Sequence, residues 1–360
     1  MKQDVSFLHI ADVHLNSKYL GLGEEKRSIR LLETQLTLKK VICENDDAKI
    51  ILFAGDIFDG EYDISTIIFL CKLFSDNPDK HFFISCGNHD YLTGKCIKTL
   101  KDQLPLNAHI FSDTISFVEL EDYAVRIYGC SFLKPHCYTS LFADFKTENK
   151  NLVNIMLMHG DVDNSSEYNP LDISKLASSN LDYLALGHKH SYSGIKSAGK
   201  TIYAYPGVLE PRGFDECGKC GIIKGRITNG VVTAEFLPCS TREYEIIEID
   251  ITGLSTDIEI IEKINSELNQ NNLYRVILTG HRTIKTANLS LYEKMAESFY
   301  CEVEDKTTIS VSILDFAGEN NLIGKTASIL EDYITEGNFE KEVLHEVIDT
   351  LTELLCTGGN

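Results

Sequence analysis

An α/β fold is predicted for the first 240 residues of this 360-residue chain, with a small α/β unit and a helical tail behind it. Three observations predict it. Short apolar runs alternate with amphipathic stretches, the pattern of strands and their covering helices. Motifs built from Asp, Asn, His and Gly follow five of those runs directly. The last two runs flank Asn229-Gly230, the residue pair favoured by a two-residue hairpin turn.

Taken in order, residues 5–10 read as a strand. Residues 28–43 read as an amphipathic helix, with Ile29, Leu32, Leu36 and Ile42 on one face and Lys39 as its polar interruption. Strands at 50–54 and 81–86 bracket a helix at 64–74. Further strands are expected at 124–128, 153–158, 183–186 and 201–205, and 221–227 and 231–236 close the domain as a hairpin. A boundary falls at 238–244, giving domains 1–240 and 241–360. Behind it the pattern predicts a strand at 244–251, a helix at 256–268, and strands at 274–279 and 309–314. Residues 322–355 are helical in pattern. Leu344, Ile348, Leu351 and Leu355 make one apolar stripe, which suits packing on its own domain or docking of a partner helix.

Composition narrows the function. Hydrophobic residues make up 43% and charged residues 24%, which excludes disorder for most of the chain. No apolar run reaches the roughly 18 residues that a membrane helix needs. Residues 1–10 make a poor signal peptide, because Asp4 and His9 interrupt the apolar run, so a cytoplasmic, non-membrane protein is expected. The eleven cysteines cannot all pair, and Cys71, Cys86, Cys130 and Cys301 sit in apolar runs as small hydrophobes. Cys217 and Cys220 form a lone C-x-x-C with no second ligand pair nearby and read as loop thiols. The net charge is −20, of which −14 falls after residue 240. A chain this acidic repels a nucleic-acid backbone unless metals, a local basic patch or a partner intervene.

The five motifs are Asp12-Val13-His14, Gly55-Asp56-Ile57-Phe58-Asp59, Gly87-Asn88-His89-Asp90, His159-Gly160 and Gly187-His188-Lys189-His190. Each stands at the carboxyl end of an expected strand, where open α/β sheets assemble their sites. Asp and His side chains together bind transition metals, and seven ligands suit two ions better than one. An Asp can bridge two ions at about 3.5–4 Å, the spacing of phosphoester chemistry. The other histidines, such as His9, His81, His109 and His345, read as structural or solvent-facing.

The series D-x-H, G-D-x-x-D, G-N-H-D, H-G and G-H-x-H resembles the calcineurin-like metallophosphoesterases over residues 5–210. The Asp12–His14 start and the loop Tyr205-Pro206-Gly207 through Gly221 look like the DNA repair exonuclease branch, the SbcD and YhaO type. The resemblance implies a four-layer α/β/β/α sandwich followed by a capping domain. It implies one metal on Asp12, His14 and His190, and another on Asn88, His159 and His188, with Asp56 bridging. It implies His89 as general acid with Asp90 orienting it, and a metal-activated water attacking phosphorus in line. Asp59 reads as a residue behind the ligands. Manganese is the expected metal, and iron or nickel suit the same ligands.

The resemblance also implies DNA as substrate and an SMC-like coiled-coil ATPase of the SbcC/YhaN type as partner. It further allows a homodimer through helices beside the active-site domain. The loop departs from the family pattern at Val208 and at Cys217 and Cys220, and leaves Arg212 and Lys219 as candidate phosphate contacts. Two rival functions share these residues. One is a phosphodiesterase or phosphatase acting on nucleotides or small phosphoesters. The other is a regulatory scaffold for the ATPase, which the intact ligand set disfavours.

Overall fold

The computed structural model describes residues 3–60, 63–143, 145–147, 149, 151–163, 165–282, 287–309, 312–336 and 341–356. The chain divides into two compact units, Met1–Glu243 and Tyr244–Asn360. None of the described helices is long and apolar enough to cross a membrane.

The first unit holds two six-stranded mixed sheets. One contains β1 (Val5–Ile10), β2 (Ala48–Ala54), β3 (His81–Ser85), β4 (Ala108–Ile110) and the hairpin β11 (Gly221–Thr228) and β12 (Val231–Pro238), in the order β12-β11-β1-β2-β3-β4. The other contains β5 (Ser116–Leu120), β6 (Val125–Gly129), β7 (Val153–His159), β8 (Tyr183–Gly187), β9 (Lys196–Ala198) and β10 (Thr201–Ala204), in the order β5-β6-β7-β8-β10-β9. Helices α1 (Glu24–Glu44), α2 (Ile64–Ser75) and α3 (Lys95–Lys101) belong to the first sheet and α4 (Ile173–Ser178) to the second.

Alternation along the strands explains the layering. In β2, Ile50, Leu52 and Ala54 face the other sheet, while Ile51 and Phe53 face the helices. In β7, Val153, Ile155 and Leu157 meet them from the opposite side, and Met156 and Met158 face outward to α4. A period of two with both faces apolar is what a sheet buried on both sides requires. Three apolar cores therefore lie between four layers, which is the α/β/β/α sandwich. Asn229 (φ 53°) and Gly230 (φ 79°) make the left-handed hairpin turn that their types favour.

Helix α1 corrects the expected apolar face. Ile29, Leu32 and Leu36 are 38%, 56% and 53% exposed, and the inward face carries Arg30, Thr34, Thr37, Leu38, Val41 and Ile42. The reason is a buried polar network. Arg30 Nη2 donates to Glu210 Oε2 at 2.9 Å and to the Pro211 carbonyl at 3.0 Å. Thr37 Oγ1 donates to Glu210 Oε1 at 2.5 Å, and the Thr241 amide donates to the same oxygen at 2.6 Å. Both members of the Arg30–Glu210 pair are fully buried. Arg30 and Thr37, two turns apart, are satisfied by the loop behind them, and Thr34 between them by Tyr19, so the polar face turns inward.

In the second unit, β13 (Tyr244–Asp250), β14 (Leu273–Thr279) and β16 (Tyr300–Asp305) form a parallel sheet, and β15 (His281–Arg282) pairs with β17 (Thr308–Ile309). Helices α5 (Asp257–Glu267) and α6 (Leu289–Met295) contribute Ile260, Ile264 and Tyr292 to the core of the parallel sheet. The strand expected at 309–314 is not one. Residues 310–311 lie outside the described residues, and Ser312 caps a 3₁₀ turn over Ile313–Phe316, with Asp315 closing the capping box. The helical tail is two helices, α7 (Leu322–Glu336) and α8 (Lys341–Cys356). Ile348 and Leu351 of the expected stripe pack with Ile313, Ala327 and Leu330, Leu344 is half-buried, and the Leu355 side chain lies outside the described residues.

Replacing Glu210 by Ala leaves Arg30 charged, buried and without its main partner. The expected loss of stability is about 3–5 kcal/mol, read from urea unfolding. Wild-type stability in that variant shows that the buried pair does not hold α1 in place.

Candidate metal centre

Five strand ends deliver the motif residues. Strands β1, β2 and β3 are parallel neighbours in one sheet, and β7 and β8 are parallel neighbours in the other. Their carboxyl ends therefore open on one edge of the sandwich. Three groups of side chains meet there with their ligand atoms within 4.8 Å of one another: Asp12, His14 and His190; Asp12, Asp56 and His159; and His14, Asp56 and His89. Asn88 joins them, with Oδ1 2.9 Å from His159 Nε2. The His188 ring stands beside the cluster, 5.2 Å from the His159 ring, but enters none of the three groups.

Backbone strain collects at these residues. Asp12 (φ 49°), His14 (φ 48°), Asp56 (φ 52°) and His188 (φ 108°) all hold positive φ, a conformation that costs a non-glycine residue about 1–3 kcal/mol. Gly55 (φ 94°) takes the turn that precedes Asp56, and a Cβ there would land on the His159 imidazole.

The His159 and His14 rings are each held in one tautomer, and the His190 ring is held through its Nδ1. His159 Nδ1 lies 2.9 Å from the Ala54 carbonyl, an acceptor, so Nδ1 carries the proton. His14 Nδ1 lies 3.2 Å from Asp59 Oδ1, and His190 Nδ1 lies 2.8 Å from Glu216 Oε1. Burial lowers the pKa of His159, and lowers that of His14 to about 4, so both rings are neutral near pH 7. Each then presents an unprotonated Nε2 to the cluster. His14 Nε2 faces His190 Nε2 at 3.3 Å, and His159 Nε2 faces Asp56 Oδ2 at 3.4 Å. Lone pairs confront lone pairs across the site. Burial, and then the charge of Asp56, raise the Asp12 carboxyl well above the usual carboxylate range. Both facts state the same need for cations. The oxygen and imidazole donors, with no thiolate among them, suit manganese, iron, nickel or zinc, and the fit is that of a metal centre with its supporting carboxylates in place.

Asp90 is corrected by the geometry. Its carboxylate accepts from the Gly87 and Ile57 amides at 2.7 Å each and from the Asp56 amide at 3.3 Å. Burial and the Asp56 charge push its pKa up to about 7. It ties the second and third motif loops together rather than orienting the His89 ring. The carboxylate on that ring is Asp59, 3.2 Å from His89 Nδ1 and equally far from His14 Nδ1. Burial alone would raise Asp59, but the hydrogen bonds from His14 and His89 and the Arg212 charge hold it far below the usual range.

Arg212 lies at the cluster. Its Nη2 is 2.7 Å from Glu216 Oε1 and 3.0 Å from His190 Nδ1, and its Nη1 is 3.7 Å from Asp59. Lys219 is exposed and shares none of these contacts. Glu216 is the residue that sequence reasoning missed. It is 3% exposed; burial would raise its pKa, but His190 and Arg212 bring it to about 2. Its place four residues after Arg212 was the available signal. His9 is a satisfied core residue, bonded to Tyr183 Oη and the Leu186 carbonyl at 3.0 Å each. The Cys217 and Cys220 thiols donate to the Phe214 and Glu216 carbonyls and enter none of the metal-ligating groups among the described residues.

The model of the calcineurin-like phosphoesterase family matches residues 5–192. The chain belongs to that family. It is therefore a metallophosphoesterase, a hydrolase of phosphoester bonds. Two relatives bear on the branch. The uncharacterized metallophosphoesterase YhaO of Bacillus subtilis is 27% identical over 301 residues, covering 78% of this chain and 73% of the relative. The DNA double-strand break repair protein Mre11 of Aeropyrum pernix is 26% identical over 235 residues, covering 59% of this chain and 56% of that protein. These relatives support the DNA repair exonuclease branch of the metallophosphoesterases.

Replacing Glu216 by Ala removes the carboxylate that holds the His190 ring while leaving every ligand in the chain. Manganese affinity should fall about 10–100-fold in a calorimetric titration, as for other residues supporting metal ligands. Unchanged affinity shows that Glu216 plays no part in holding the ring.

Proposed function

We propose that this chain is a metal-dependent DNA nuclease that cleaves phosphodiester bonds as an exonuclease. In this reading it is the nuclease subunit of a complex with an SMC-like coiled-coil ATPase. The observation that carries the catalytic reading is the exposure of one imidazole. The His89 side chain is 42% exposed at the rim of the cluster, while those of His14 and His159 are fully buried. The hydrogen bond with Asp59 raises the His89 pKa against the opposing effect of burial. A ring facing solvent beside a metal centre, with a carboxylate that favours its protonated form, is placed to donate a proton.

Asp12, His14, Asp56, Asn88, His159, His188 and His190 would hold divalent ions, which would supply Lewis acidity toward a phosphoryl oxygen. Manganese is the ion this reading prefers. The chain's own part follows from its geometry. The carboxylates and the neutral rings hold the charge of the ions, Glu216 and Asp59 fix the rings, and Arg212 offers a cation for a phosphate oxygen. His89 gives its proton to the leaving sugar oxygen, and Asp59 stabilises the charged ring before transfer.

DNA as substrate is supported by the repair nuclease relative and by the unit that follows the phosphoesterase unit. The partner reading is supported by the tail. Helix α7 exposes Leu322 (73%) and Ile329 (54%), and α8 exposes Val343 (47%), Val347 (39%) and Leu354 (60%). Outward apolar positions on two successive helices suit a coiled coil. Val347→Glu should abolish co-purification with such an ATPase and leave metal binding intact. Co-purification at the wild-type level sinks the α8 contact.

The nuclease reading is tested on linear double-stranded and single-stranded DNA with manganese, against a chelator control. His89→Leu should keep its metal and lose about 10²–10⁴ in turnover. Wild-type rates in that variant show the acid assignment to be wrong. Turnover of a small chromogenic phosphodiester without any cleavage of DNA moves the function to a small-substrate phosphodiesterase.

A further inference from the structure

A row of aromatic rings leads away from the metal centre. The Tyr168 ring lies 4.6 Å from the His188 ring at an interplanar angle of 35°. The His136 ring lies 5.5 Å from Tyr168 at 33°, and Tyr138 lies 5.7 Å from His136 at 13°. Tyr138 stacks on His136, and Tyr168 is tilted against both His136 and His188, so the four rings form one continuous row of ring contacts that ends in a stacked pair. Tyr138, at the far end, is 64% exposed.

The backbone fixes this row before any ligand arrives. Cys137 and Tyr168 form a parallel bridge, in which the Cys137 amide donates to the Glu167 carbonyl at 3.0 Å and the Asn169 amide to the Cys137 carbonyl at 2.7 Å. Asn169 is fully buried, accepts from the Leu141 amide at 2.7 Å and donates to the His159 carbonyl at 2.8 Å. One asparagine thus ties both loops to the strand end that carries His159. An exposed tyrosine face held at low conformational freedom is a costly feature for a surface to keep without a ligand.

The geometry points to a stacking platform for the bases of single-stranded nucleic acid, with the face of Tyr138 receiving a base while a phosphate of the same strand reaches the metal centre. This inference rests on the nuclease reading and names how the substrate is held. Its physical advantage is charge. The first 240 residues carry −6, so phosphate contacts to the protein surface supply little affinity, whereas every base has a π face that stacks irrespective of charge. Because the row separates Tyr138 from the cluster, the stacked base and the cleaved phosphate belong to different nucleotides.

The test compares a short single-stranded DNA oligonucleotide with an abasic strand of equal length, using the full chain and manganese. The wild type should show a KM about tenfold lower for the strand with bases, within the range of one base–aromatic contact. Tyr138→Ala should raise that KM about tenfold at unchanged kcat and leave the abasic strand unaffected, while Tyr138→Phe restores the wild-type KM. Equal KM for both strands in the wild type, or no change in Tyr138→Ala, overturns the platform and leaves the nuclease reading standing. Cleavage of neither strand, with a small phosphodiester still turned over, overturns both.

Discussion

Unprotonated nitrogens and carboxylate oxygens that face one another across one edge of the sandwich are the constraint on which the rest depends. Asp12 and Asp56 are each 1% exposed, and His14 and His159 bring their bare Nε2 atoms to them. Without cations such an arrangement loses hydration and sets lone pairs against one another, which the His188 and His89 amides offset only in part. The strained φ values at Asp12, His14, Asp56 and His188 add to the cost. The sandwich supplies what keeps the cluster together: two double-sided sheets whose parallel strands end together, and apolar layers that leave the strands no freedom to slide.

Behind the ligands runs a second polar layer that decides which nitrogen of each ring faces inward. The Ala54 carbonyl does this for His159, Asp59 for His14 and Glu216 for His190. Glu216 belongs to the loop that Arg30 and Thr37 grip through Glu210. A helix that turns a polar face inward thereby anchors the segment that orients a metal ligand. The inverted face of α1 and the geometry of His190 have one common cause.

Much of this was legible in the sequence because strand ends and short motifs are local. Asp12, His14, Asp56, His159 and His190 could be placed from apolar runs followed by polar residues, and the structure brings them into shared groups. Local signals failed where a distant partner decided the outcome. The face of α1 depends on Glu210, roughly 180 residues away, and no periodicity reports that. Asp90 follows His89 directly, yet adjacent residues in a tight turn point apart, and the backbone amides of Gly87 and Ile57 captured its carboxylate. Asp59, further off in sequence, reached the ring instead. The strand expected at 309–314 failed for a local reason: Ser312 and Asp315 compete for the backbone and close a capping box.

The distribution of charge then separates the tasks of the first unit. Its negative charge draws cations to the strand ends, and those cations are what makes the same edge tolerable to a phosphate. Beyond the reach of the ions, an acidic surface has only uncharged means of holding a polyanion, and the rings of Tyr168 and Tyr138 are uncharged contact area in the row that leads from the cluster. A basic groove would bind a strand more tightly, but it would also compete with the ions for the carboxylates. An acidic metal centre beside a row of aromatic rings avoids that competition, because stacking on a ring face draws on no charge that the ions need.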